Sequence, residues 1–310
     1  MSKIIVTGGG GFVGTHLCNK LRELNHIILA PKSSKFDLTD PRRCDKLMTY
    51  MEKPDAVIHL AAKCGGIGAN MNNPGKYFYE NIMMGANVIE SCRKFKVKKI
   101  ILLGTVCSYP KYCSVPFKES DIWEGFPEET NAPYGIAKKA LYVMLDAYNK
   151  QYGLNGTVLV PSNLYGPNDN FDDNSSHVIP ALIKKIYKAK LKNKKKVEVW
   201  GDGTASREFL YVGDLVDAII KSIYKRTDTF PINIGTGKEI TIKELAHKIK
   251  KTLNYEGELY FNKSYPNGQP RRCIDSTLAK NVLNFTAKTT LDSGLSETVD
   301  WFNKYYIKSV

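Results

Sequence analysis

The stretch KIIVTGGGGFVG, Lys3 to Gly14, decides the fold class of this chain. A short apolar run, 3–8, ends in a cluster of glycines, and helical spacing follows at 15–24. Glycine lets the backbone turn tightly and approach a pyrophosphate, whose charge is favoured at a helix N-terminus. Three glycines spaced as G-x-x-G-x-x-G between a strand and a helix favour a dinucleotide site over a simple tight turn. We assign this loop to Gly8, Gly11, Phe12, Val13 and Gly14.

The first half of the chain alternates short apolar segments with helical patterns. The apolar segments lie at 3–8, 26–30, 56–62, 98–104 and 157–160. Such alternation predicts an α/β fold, a Rossmann-type doubly wound parallel sheet with helices on both faces. Long loops at 161–176 and 263–273 are typical of binding regions. We expect an NADP-binding Rossmann domain at 1–161, with segments at about 207–235 returning to it, and a smaller C-terminal substrate-binding domain from 162–206 and 236–310.

Composition argues against several classes of protein. The 310 residues are 43% hydrophobic and 25% charged, as in a globular enzyme, and no apolar run reaches membrane-spanning length. The chain starts without the apolar region and cleavage site of a signal peptide. Seven cysteines, without a C-x-x-C pair or metal-ligand spacing, fit a reducing cytoplasm and no metal site. The net charge of +14 is densest at 184–196, where interleaved apolar residues predict a solvated helix face, not a nucleic-acid-binding module.

The segment ILAPKSSK indicates which dinucleotide binds. An NAD-binding unit usually has an acidic residue about 20 residues after the glycine loop, at the end of the second strand. Here Lys32 and Ser33 occupy that region, and no acid appears before Asp37. Cations and hydroxyls suit a 2′-phosphate, so we expect NADPH/NADP. Asp37 and Leu38 are assigned to an adenine-side loop, with a local cap as the alternative for Asp37.

The segment APYGIAK contains the first candidate catalytic pair. Tyr134 and Lys138 are four residues apart and therefore lie on one face of a helix. An ammonium beside a phenol favours the phenolate, so we expect Lys138 to lower the pKa of Tyr134. The pair follows the strand that ends at Thr105 by about 30 residues, a spacing that makes a chance match improbable.

Together these motifs resemble the extended short-chain dehydrogenase/reductases and, within them, the GDP-L-fucose synthase family. The resemblance rests on AAKCGGIGANMNNP, ENIMMGANVIESCR, LLGTVCSYPK, YGIAK, PSNLYGPNDNFDDNSSHVIPALI, VWGDGTASREFLYVGDL and NGQPRR. These segments span nearly the whole chain, from residue 4 to about 275. The resemblance implies NADPH-dependent 3,5-epimerisation and 4-reduction of GDP-4-keto-6-deoxymannose by a homodimer.

The resemblance also implies roles for individual residues. Thr105 positions the carbonyl, Tyr134 donates a proton, and Lys138 holds the ribose. Cys107 and His177 transfer protons during epimerisation, since a thiolate and an imidazolium titrate near neutrality. The implied cofactor contacts are Leu60, Ala61, Ala62, Asn81, Tyr134, Lys138, Pro161, Asn163, Leu164 and His177. The implied substrate contacts are Asn163, Lys185, Trp200, Arg207 and Arg272, with the guanidinium of Arg207 suited to a pyrophosphate.

Several alternatives stay open at this point. The family pattern GSSCIYP reads GTVCSYP here, so Thr105 replaces a serine and Ser108 an isoleucine. The substrate is then a six-carbon sugar or a seven-carbon GDP-4-keto-6-deoxy-heptose. A relative that only reduces C4 would retain Cys107 as a packing group, since a free cysteine often serves as a small buried hydrophobe. Arg207 has an ordinary ion pair with Glu208 as its other interpretation, and a non-catalytic NADP-binding regulator is a more distant one.

Overall fold

The computed structural model describes residues 1–65, 67–173, 175–227, 231–265 and 267–306. The strands are β1 (Lys3–Thr7), β2 (Ile27–Leu29), β3 (Ala56–His59), β4 (Lys99–Leu103), β5 (Gly156–Pro161), β6 (Asn163–Tyr165), β7 (Lys196–Trp200), β8 (Ser206–Tyr211), β9 (Ile232–Ile234), β10 (Glu239–Thr241), β11 (Glu258–Asn262) and β12 (Arg271–Arg272). The helices are α1 (Phe12–Glu23), α2 (Pro41–Tyr50), α3 (Ile67–Asn72), α4 (Pro74–Lys94), α5 (Ala132–Tyr152), α6 (Val178–Leu191), α7 (Val212–Ile223), α8 (Ile242–Thr252), α9 (Thr277–Leu283) and α10 (Leu291–Trp301). Two 3₁₀ helices, Val106–Ser108 and Glu119–Trp123, and a π-helical turn, Phe302–Tyr306, complete the list.

The main sheet is parallel and has the strand order β2-β1-β3-β4-β5-β9. The chain leaves β1 toward β2 on one side and later returns to place β3 on the other side. The two connections diverge at the carboxyl ends of β1 and β3, where a crevice opens in doubly wound folds. The predicted fold class is therefore confirmed, and the crevice lies directly above the glycine loop.

Apolar side chains on both faces of this sheet form the core. Ile5 of β1 packs on the side of α4 and α5, together with Val88 and Leu141. The neighbouring Ile4 points to the opposite face, where it joins Leu17 of α1 and other residues of α1 and α7. Successive side chains of a strand point to opposite faces, so a strand covered on both sides is apolar throughout. This explains why the segment before the glycines has no polar alternation.

A smaller sheet forms around β8, which pairs with β10 in antiparallel and with β6 and β12 in parallel orientation. A separate parallel pair joins β11 to β7. The segment 207–235 therefore contributes β8 to the smaller sheet, whereas α7 packs on the main sheet and β9 is its edge strand. Helix α9 also packs into the main core through Ala279 and Leu283. The boundaries given above stay a prediction, and their parts at 228–230 and 307–310 lie outside the described residues.

Within the described part of the chain, no helix is both long enough and apolar enough to cross a bilayer.

Candidate active site

The glycine loop is shaped to bring the backbone close to a ligand. Gly8 has a φ of 70°, and a Cβ added there would lie 2.7 Å from the backbone nitrogen of Ala61. A Cβ on Gly14 would meet the carbonyl oxygen of Gly8 and lie 2.6 Å from the Cα of Gly9. Gly11 is the N-cap of α1 and supplies no capping side chain, and the first turn of α1 contains no acidic residue. The N–H groups of this helix start, which no side chain caps, and the helix dipole suit a diphosphate, so this site fits a dinucleotide.

The turn after β3 lies directly against this loop. The backbone N–H of Leu60 donates to Thr7 O at 3.1 Å, and Ala61 and Ala62 follow it. Lys63, the residue after Ala62, forms two backbone hydrogen bonds with the side chain of Asn81 on α4. The Asn81 Nδ2 donates to Lys63 O at 2.8 Å, and its Oδ1 accepts from Lys63 N at 3.0 Å. The buried Asn81 side chain thus acts by fixing the loop, a role that the sequence did not indicate.

The segment after β2 presents the side chains expected at a cofactor's ribose. Lys32 and Ser33 are exposed, whereas Leu38 is 6% exposed and packs in the core. Asp37 Oδ1 accepts from the N–H of Thr39 at 2.9 Å and from its hydroxyl at 2.8 Å. These bonds lower the pKa of Asp37, the backbone bond contributing most. Asp37 therefore forms the local cap that the sequence offered as an alternative.

Pro161, Asn163 and Leu164 lie where β5 ends and β6 begins. Pro161 pairs with Ile234 across the edge of the main sheet, and Leu164 packs against the cluster beneath it. The Asn163 Nδ2 donates to Glu208 O at 2.8 Å, so this side chain links the main sheet to the smaller one. All three residues border the crevice at its carboxyl edge.

Thr105 and Tyr134 meet above the end of β4. Thr105 is the N-cap of the 3₁₀ helix, and its Oγ1 accepts from the N–H of Cys107 at 3.2 Å. The Tyr134 hydroxyl lies close enough to the Thr105 side chain for that side chain to lower the pKa of Tyr134. Because one lone pair of Thr105 Oγ1 is used by Cys107, its own proton is available to a neighbouring oxygen. The structure thus brings together the hydroxyl, thiol and phenol that the sequence singled out.

Burial determines the protonation of the Tyr–Lys pair. Burial raises the pKa of Tyr134 well above its ordinary value, with Cys64 and Cys107 adding to the rise and the Thr105 hydrogen bond opposing it. The expected lowering by Lys138 is absent: the Lys138 ammonium donates to Leu103 O at 3.0 Å, and burial lowers its own pKa to about 8. The sequence-based expectation for the tyrosine was wrong because it omitted desolvation of the phenolate. A neutral phenol is the form that donates a proton.

Two thiols, not one, border this cluster. Cys107 is partly buried in the 3₁₀ helix, and Cys64 follows the turn after β3. Cys64 is exposed, yet neighbouring protein atoms partly desolvate its thiol and raise its pKa; Lys138 opposes the rise, and Cys107 and Asp169 add to it. These mutual effects indicate that Cys64 lies near Tyr134 and Lys138. Its sequence position, two residues beyond Ala62, was the signal that could have identified it.

Cationic side chains gather on the smaller sheet. Arg207 and Arg272 are register partners on the parallel strands β8 and β12. Burial and the charge of Arg272 lower the pKa of Arg207 to about 10. Within the described part of the chain, neither guanidinium has a carboxylate partner; Arg207 donates to Ser206 O at 2.7 Å and Arg272 to Gln269 Oε1 at 3.1 Å. Two close, unneutralised guanidiniums suit a diphosphate.

The alternative ion pair of Arg207 with Glu208 is not formed. Glu208 is fully buried and accepts hydrogen bonds from the backbone of Ile274 at 2.8 Å and Gly237 at 3.0 Å. Adjacent residues on a strand point to opposite faces, which separates these two side chains.

His177 is the N-cap residue of α6 and is exposed at the edge of the crevice. Protein atoms on one side of the exposed ring disfavour its charged form and lower its pKa, and the charge of Arg272 lowers it further. Among the described residues, no hydrogen bond joins His177 to Cys107. The imidazole and the thiol therefore approach the crevice from different elements.

An aromatic surface follows along the smaller sheet. Trp200, 60% exposed, stacks on Tyr265 with ring centroids 4.4 Å apart and planes 7° from parallel. The Lys185 ammonium lies 5.6 Å from the Trp200 ring centroid and donates to Glu198 O at 2.8 Å. A flat, exposed ring pair with a cation at its edge suits a planar, electron-rich group.

Two buried polar groups near the crevice were missed by the sequence analysis. His59 of β3 hydrogen-bonds Thr7 Oγ1 at 2.8 Å, and burial followed by the charge of Lys138 lowers its pKa to about 3. Asp169 is 8% exposed, and burial raises its pKa to about 7 although its Oδ1 accepts from Asn170 N at 2.7 Å. Single polar residues within apolar or loop segments have no periodic signal that would reveal them.

The fold and the site together define an extended short-chain dehydrogenase/reductase, an enzyme built around a glycine loop and a Tyr–Lys pair. The model of the NAD dependent epimerase/dehydratase family matches residues 4–235, and the GDP-L-fucose synthase of Sinorhizobium fredii (strain NBRC 101917 / NGR234) is 41% identical over 97% of this chain and 95% of that protein. The chain belongs to the NAD dependent epimerase/dehydratase family, in the group of the GDP-L-fucose synthases. The predicted family is confirmed.

Two solved structures resemble this one along their whole length. A GDP-6-OMe-4-keto-L-xylo-heptose reductase from C. jejuni has a TM-score of 0.90 at 32% identity and covers 97% of each chain. A GDP-L-fucose synthetase from Naegleria fowleri bound to NADP has a TM-score of 0.90 at 28% identity, covering 99% of this chain and 95% of that one.

Proposed function

We propose that this enzyme uses NADPH to reduce the C4 ketone of a GDP-4-keto-6-deoxy sugar and also epimerises C3 and C5, as a GDP-L-fucose synthase does. The supporting observation is the meeting of Thr105, Tyr134, Lys138 and Cys107 at the carboxyl end of β4, together with an arginine pair on the smaller sheet. The names of the relatives given above identify them as enzymes of GDP-linked sugars.

Reduction assigns a task to each residue of the catalytic group. Bound NADPH supplies the hydride that C4 receives. The Thr105 hydroxyl accepts from Cys107 N–H, which leaves its single proton to donate to the carbonyl oxygen and orient it. The neutral phenol of Tyr134 gives its proton to the developing alkoxide. Lys138 holds the cofactor's ribose and, while protonated, stabilises the phenolate that remains.

Epimerisation uses the C4 ketone before it is reduced. The ketone acidifies the hydrogens at C3 and C5, and inversion requires a base on one face and an acid on the other. Cys107 and His177 belong to different elements and approach the crevice separately, which suits protonation from opposite sides. The lowered pKa of His177 leaves its ring mostly neutral at pH 7, able to accept a proton.

A C4 reductase acting on a GDP-4-keto-6-deoxy-heptose is the second candidate. It is favoured by the full-length likeness to the C. jejuni heptose reductase. In that enzyme type Cys107 and His177 would bind the sugar without exchanging its protons.

Deuterium incorporation distinguishes the two candidates. GDP-4-keto-6-deoxymannose is incubated with the enzyme in heavy water and analysed at C3 and C5. Epimerisation predicts incorporation at both carbons, lost in Cys107→Ser and weakened in His177→Asn. Cys113→Ser is the matched control, since that thiol contacts Asp121 at 3.5 Å instead of the site. Reduction at C4 without incorporation would leave the enzyme a reductase only.

The preference for NADPH over NADH rests on Lys32 and Ser33, which are exposed after β2, and on the engagement of Asp37 by Thr39. Removing the charge in Lys32→Ala lowers kcat/KM for NADPH and leaves that for NADH nearly unchanged. Equal kcat/KM for both nucleotides in the unmodified enzyme would contradict this preference.

The enzyme is proposed to act as a cytoplasmic homodimer. All seven cysteines are free, in keeping with a reducing compartment. Helices α4 and α5 pack together and leave large apolar side chains exposed, including Tyr79 at 59% and Val143 at 54%. Pairing of two such helix pairs would cover them. Light scattering tests this: a mass of one chain would exclude the dimer.

A further inference from the structure

A linear run of buried hydrogen bonds lies next to Thr105 and Cys107. Thr105 N–H donates to the Tyr142 hydroxyl at 2.9 Å. The Tyr142 hydroxyl lies 3.1 Å from Ser108 Oγ, which donates to Gly135 O at 3.2 Å. Tyr142 is 1% exposed and Ser108 is 0% exposed, so water does not compete for these groups.

The direction of each bond follows from the number of protons. A backbone carbonyl only accepts, so the single hydroxyl proton of Ser108 goes to Gly135 O. Ser108 Oγ then accepts from Tyr142, and Tyr142 accepts from Thr105 N–H. The run is therefore Thr105 N–H to Tyr142 O–H to Ser108 O–H to Gly135 O, with every donor satisfied. Buried chains of this kind polarise one another and hold one geometry.

The chain connects the two elements that contain the catalytic residues. Tyr142 lies on the same face of α5 as Tyr134 and Lys138, at spacings of eight and four residues. Thr105 is the N-cap of the 3₁₀ helix that contains Cys107, and Ser108 is the last residue of that helix. The bonds therefore tie the threonine–thiol segment to the tyrosine–lysine helix at two points.

Two glycines allow this close approach. A Cβ on Gly104 would lie 2.5 Å from the Tyr142 hydroxyl, and a Cβ on Gly135 would meet the Cys107 carbonyl. The first turn of α5 therefore lies directly against the backbone of Cys107. A displacement of Tyr142 would therefore also displace the backbone around Cys107.

We propose that Tyr142 and Ser108 are positioning residues that fix Thr105 and Cys107 against Tyr134, so that the carbonyl-orienting hydroxyl and the proton-transferring thiol are preset for the reaction. This inference rests on the proposed function. It also gives a physical role to Ser108, which replaces the isoleucine of the family pattern: the serine hydroxyl completes the path from Tyr142 to Gly135.

The test compares Tyr142→Phe, Ser108→Ala and the double variant. Tyr142→Phe is expected to lower kcat for NADPH oxidation roughly tenfold to a hundredfold with KM values within about twofold, since misplacement of reacting groups affects the transition state most. Ser108→Ala is expected to have a smaller effect of the same kind. If the chain acts as a unit, the double variant matches Tyr142→Phe.

A second readout does not require turnover. Trypsin releases Cys107 as the cysteine of peptide 100–111, so its alkylation by iodoacetamide can be followed by mass spectrometry. Loosening of the segment in Tyr142→Phe is expected to raise this alkylation rate about threefold or more. The matched control is Tyr255→Phe, which removes a buried hydroxyl that donates to Lys194 O at 2.7 Å, away from the site.

The outcomes are separable. If the unmodified enzyme does not turn over the GDP-4-keto sugar, the proposed function fails, while the alkylation rates still judge the positioning role. The positioning role is overturned if Tyr142→Phe equals Tyr255→Phe in both kcat and alkylation, or if the two single effects simply add. Should Tyr142→Phe fail to fold, Ser108→Ala decides: an unchanged kcat and an unchanged alkylation rate would overturn the inference.

Discussion

Tyr134 and Lys138 lie one helical turn apart on α5, and burial shifts both toward their neutral forms. The pKa of Tyr134 is raised and that of Lys138 is lowered to about 8. A neutral phenol can donate its proton, and a lysine that is still protonated at pH 7 stabilises the phenolate left behind. At the residue scale, desolvation therefore favours the neutral phenol that the proposed mechanism uses as the acid, and the ammonium of Lys138 would stabilise the phenolate that remains.

The titration of Lys138 predicts an alkaline limit to the reaction. The ammonium is lost as the pH rises through about 8, so kcat/KM falls above that pH. In Lys138→Arg the charge persists, and this limb moves to higher pH on a lower overall rate. The measurement is the pH profile of kcat/KM in both proteins. A limb at the same pH in Lys138→Arg would assign it to another group.

Asp169 predicts a change of stability with pH. Its pKa is about 7 in the folded chain, against an ordinary value of about 3.9, so the folded state binds the extra proton between these values. Stability contributed by this group therefore falls as the pH rises from 4 to 7. Asp169→Asn removes the loss and is expected to raise the free energy of unfolding at pH 8 by on the order of 2–4 kcal/mol, with little gain at pH 4.

Asp37 provides the matched control for this measurement. Hydrogen bonds from Thr39 lower its pKa, so its ionised form is the favoured one in the folded chain. Asp37→Asn is therefore expected to give no gain at pH 8. Urea unfolding at the two pH values measures both variants, and equal responses would refute the assignment to Asp169.

At the scale of elements, the turn between β1 and α1 depends far more on Gly14 than on Gly10. A Cβ at Gly14 would overlap the backbone of Gly8 and Gly9, whereas one at Gly10 would meet no atom within 4 Å. Gly14→Ala is therefore expected to destabilise the nucleotide-free enzyme by about 2 kcal/mol or more, and Gly10→Ala by less than about 0.5 kcal/mol. Urea unfolding of both variants provides the comparison. Similar losses would mean that the loop is looser than the structure shows.

The charge of Arg272 on β12 acts on His177 at the start of α6, which predicts a coupling between these two side chains. The guanidinium lowers the pKa of the imidazole, so Arg272→Gln is expected to raise it. Arg271→Gln is the control, because Arg271 is paired with Glu239. Titration of the His177 ring by NMR measures the shift. An unchanged pKa of His177 in Arg272→Gln would show that the two side chains do not interact.

At the scale of the whole molecule, the sequence predicts the main sheet well and the smaller sheet poorly. The predicted strands at 3–8, 56–62 and 98–104 appear as β1, β3 and β4, because strands buried on both faces give continuous apolar runs. The segment 207–235 was expected to return to the main sheet; α7 and β9 lie there, whereas its first residues belong to β8, which pairs with β6, β10 and β12. Its partners are short and distant in sequence, so no local pattern indicates the pairing.

The candidate site also has features that the sequence predicts and features that only the folded structure shows. The motifs identified Thr105, Tyr134 and Lys138, since spacing on one helix and position after a strand are readable from sequence. Desolvation of Tyr134 and the contacts of Tyr142 depend on packing between α5 and the end of β4. Such three-dimensional proximity has no linear signature, so the pKa direction and the hydrogen-bond chain emerge only from the fold.

The most direct test of the proposed reduction is NADPH oxidation in the presence of GDP-4-keto-6-deoxymannose, followed at 340 nm for the unmodified enzyme and for Tyr134→Phe. The account predicts steady oxidation by the unmodified enzyme and a rate lower by about a thousandfold or more in Tyr134→Phe, since the proton donor is lost. Binding of NADPH, measured separately by fluorescence, is expected to stay within about threefold, since the glycine loop is unchanged. Undiminished oxidation in Tyr134→Phe would contradict the assigned chemistry.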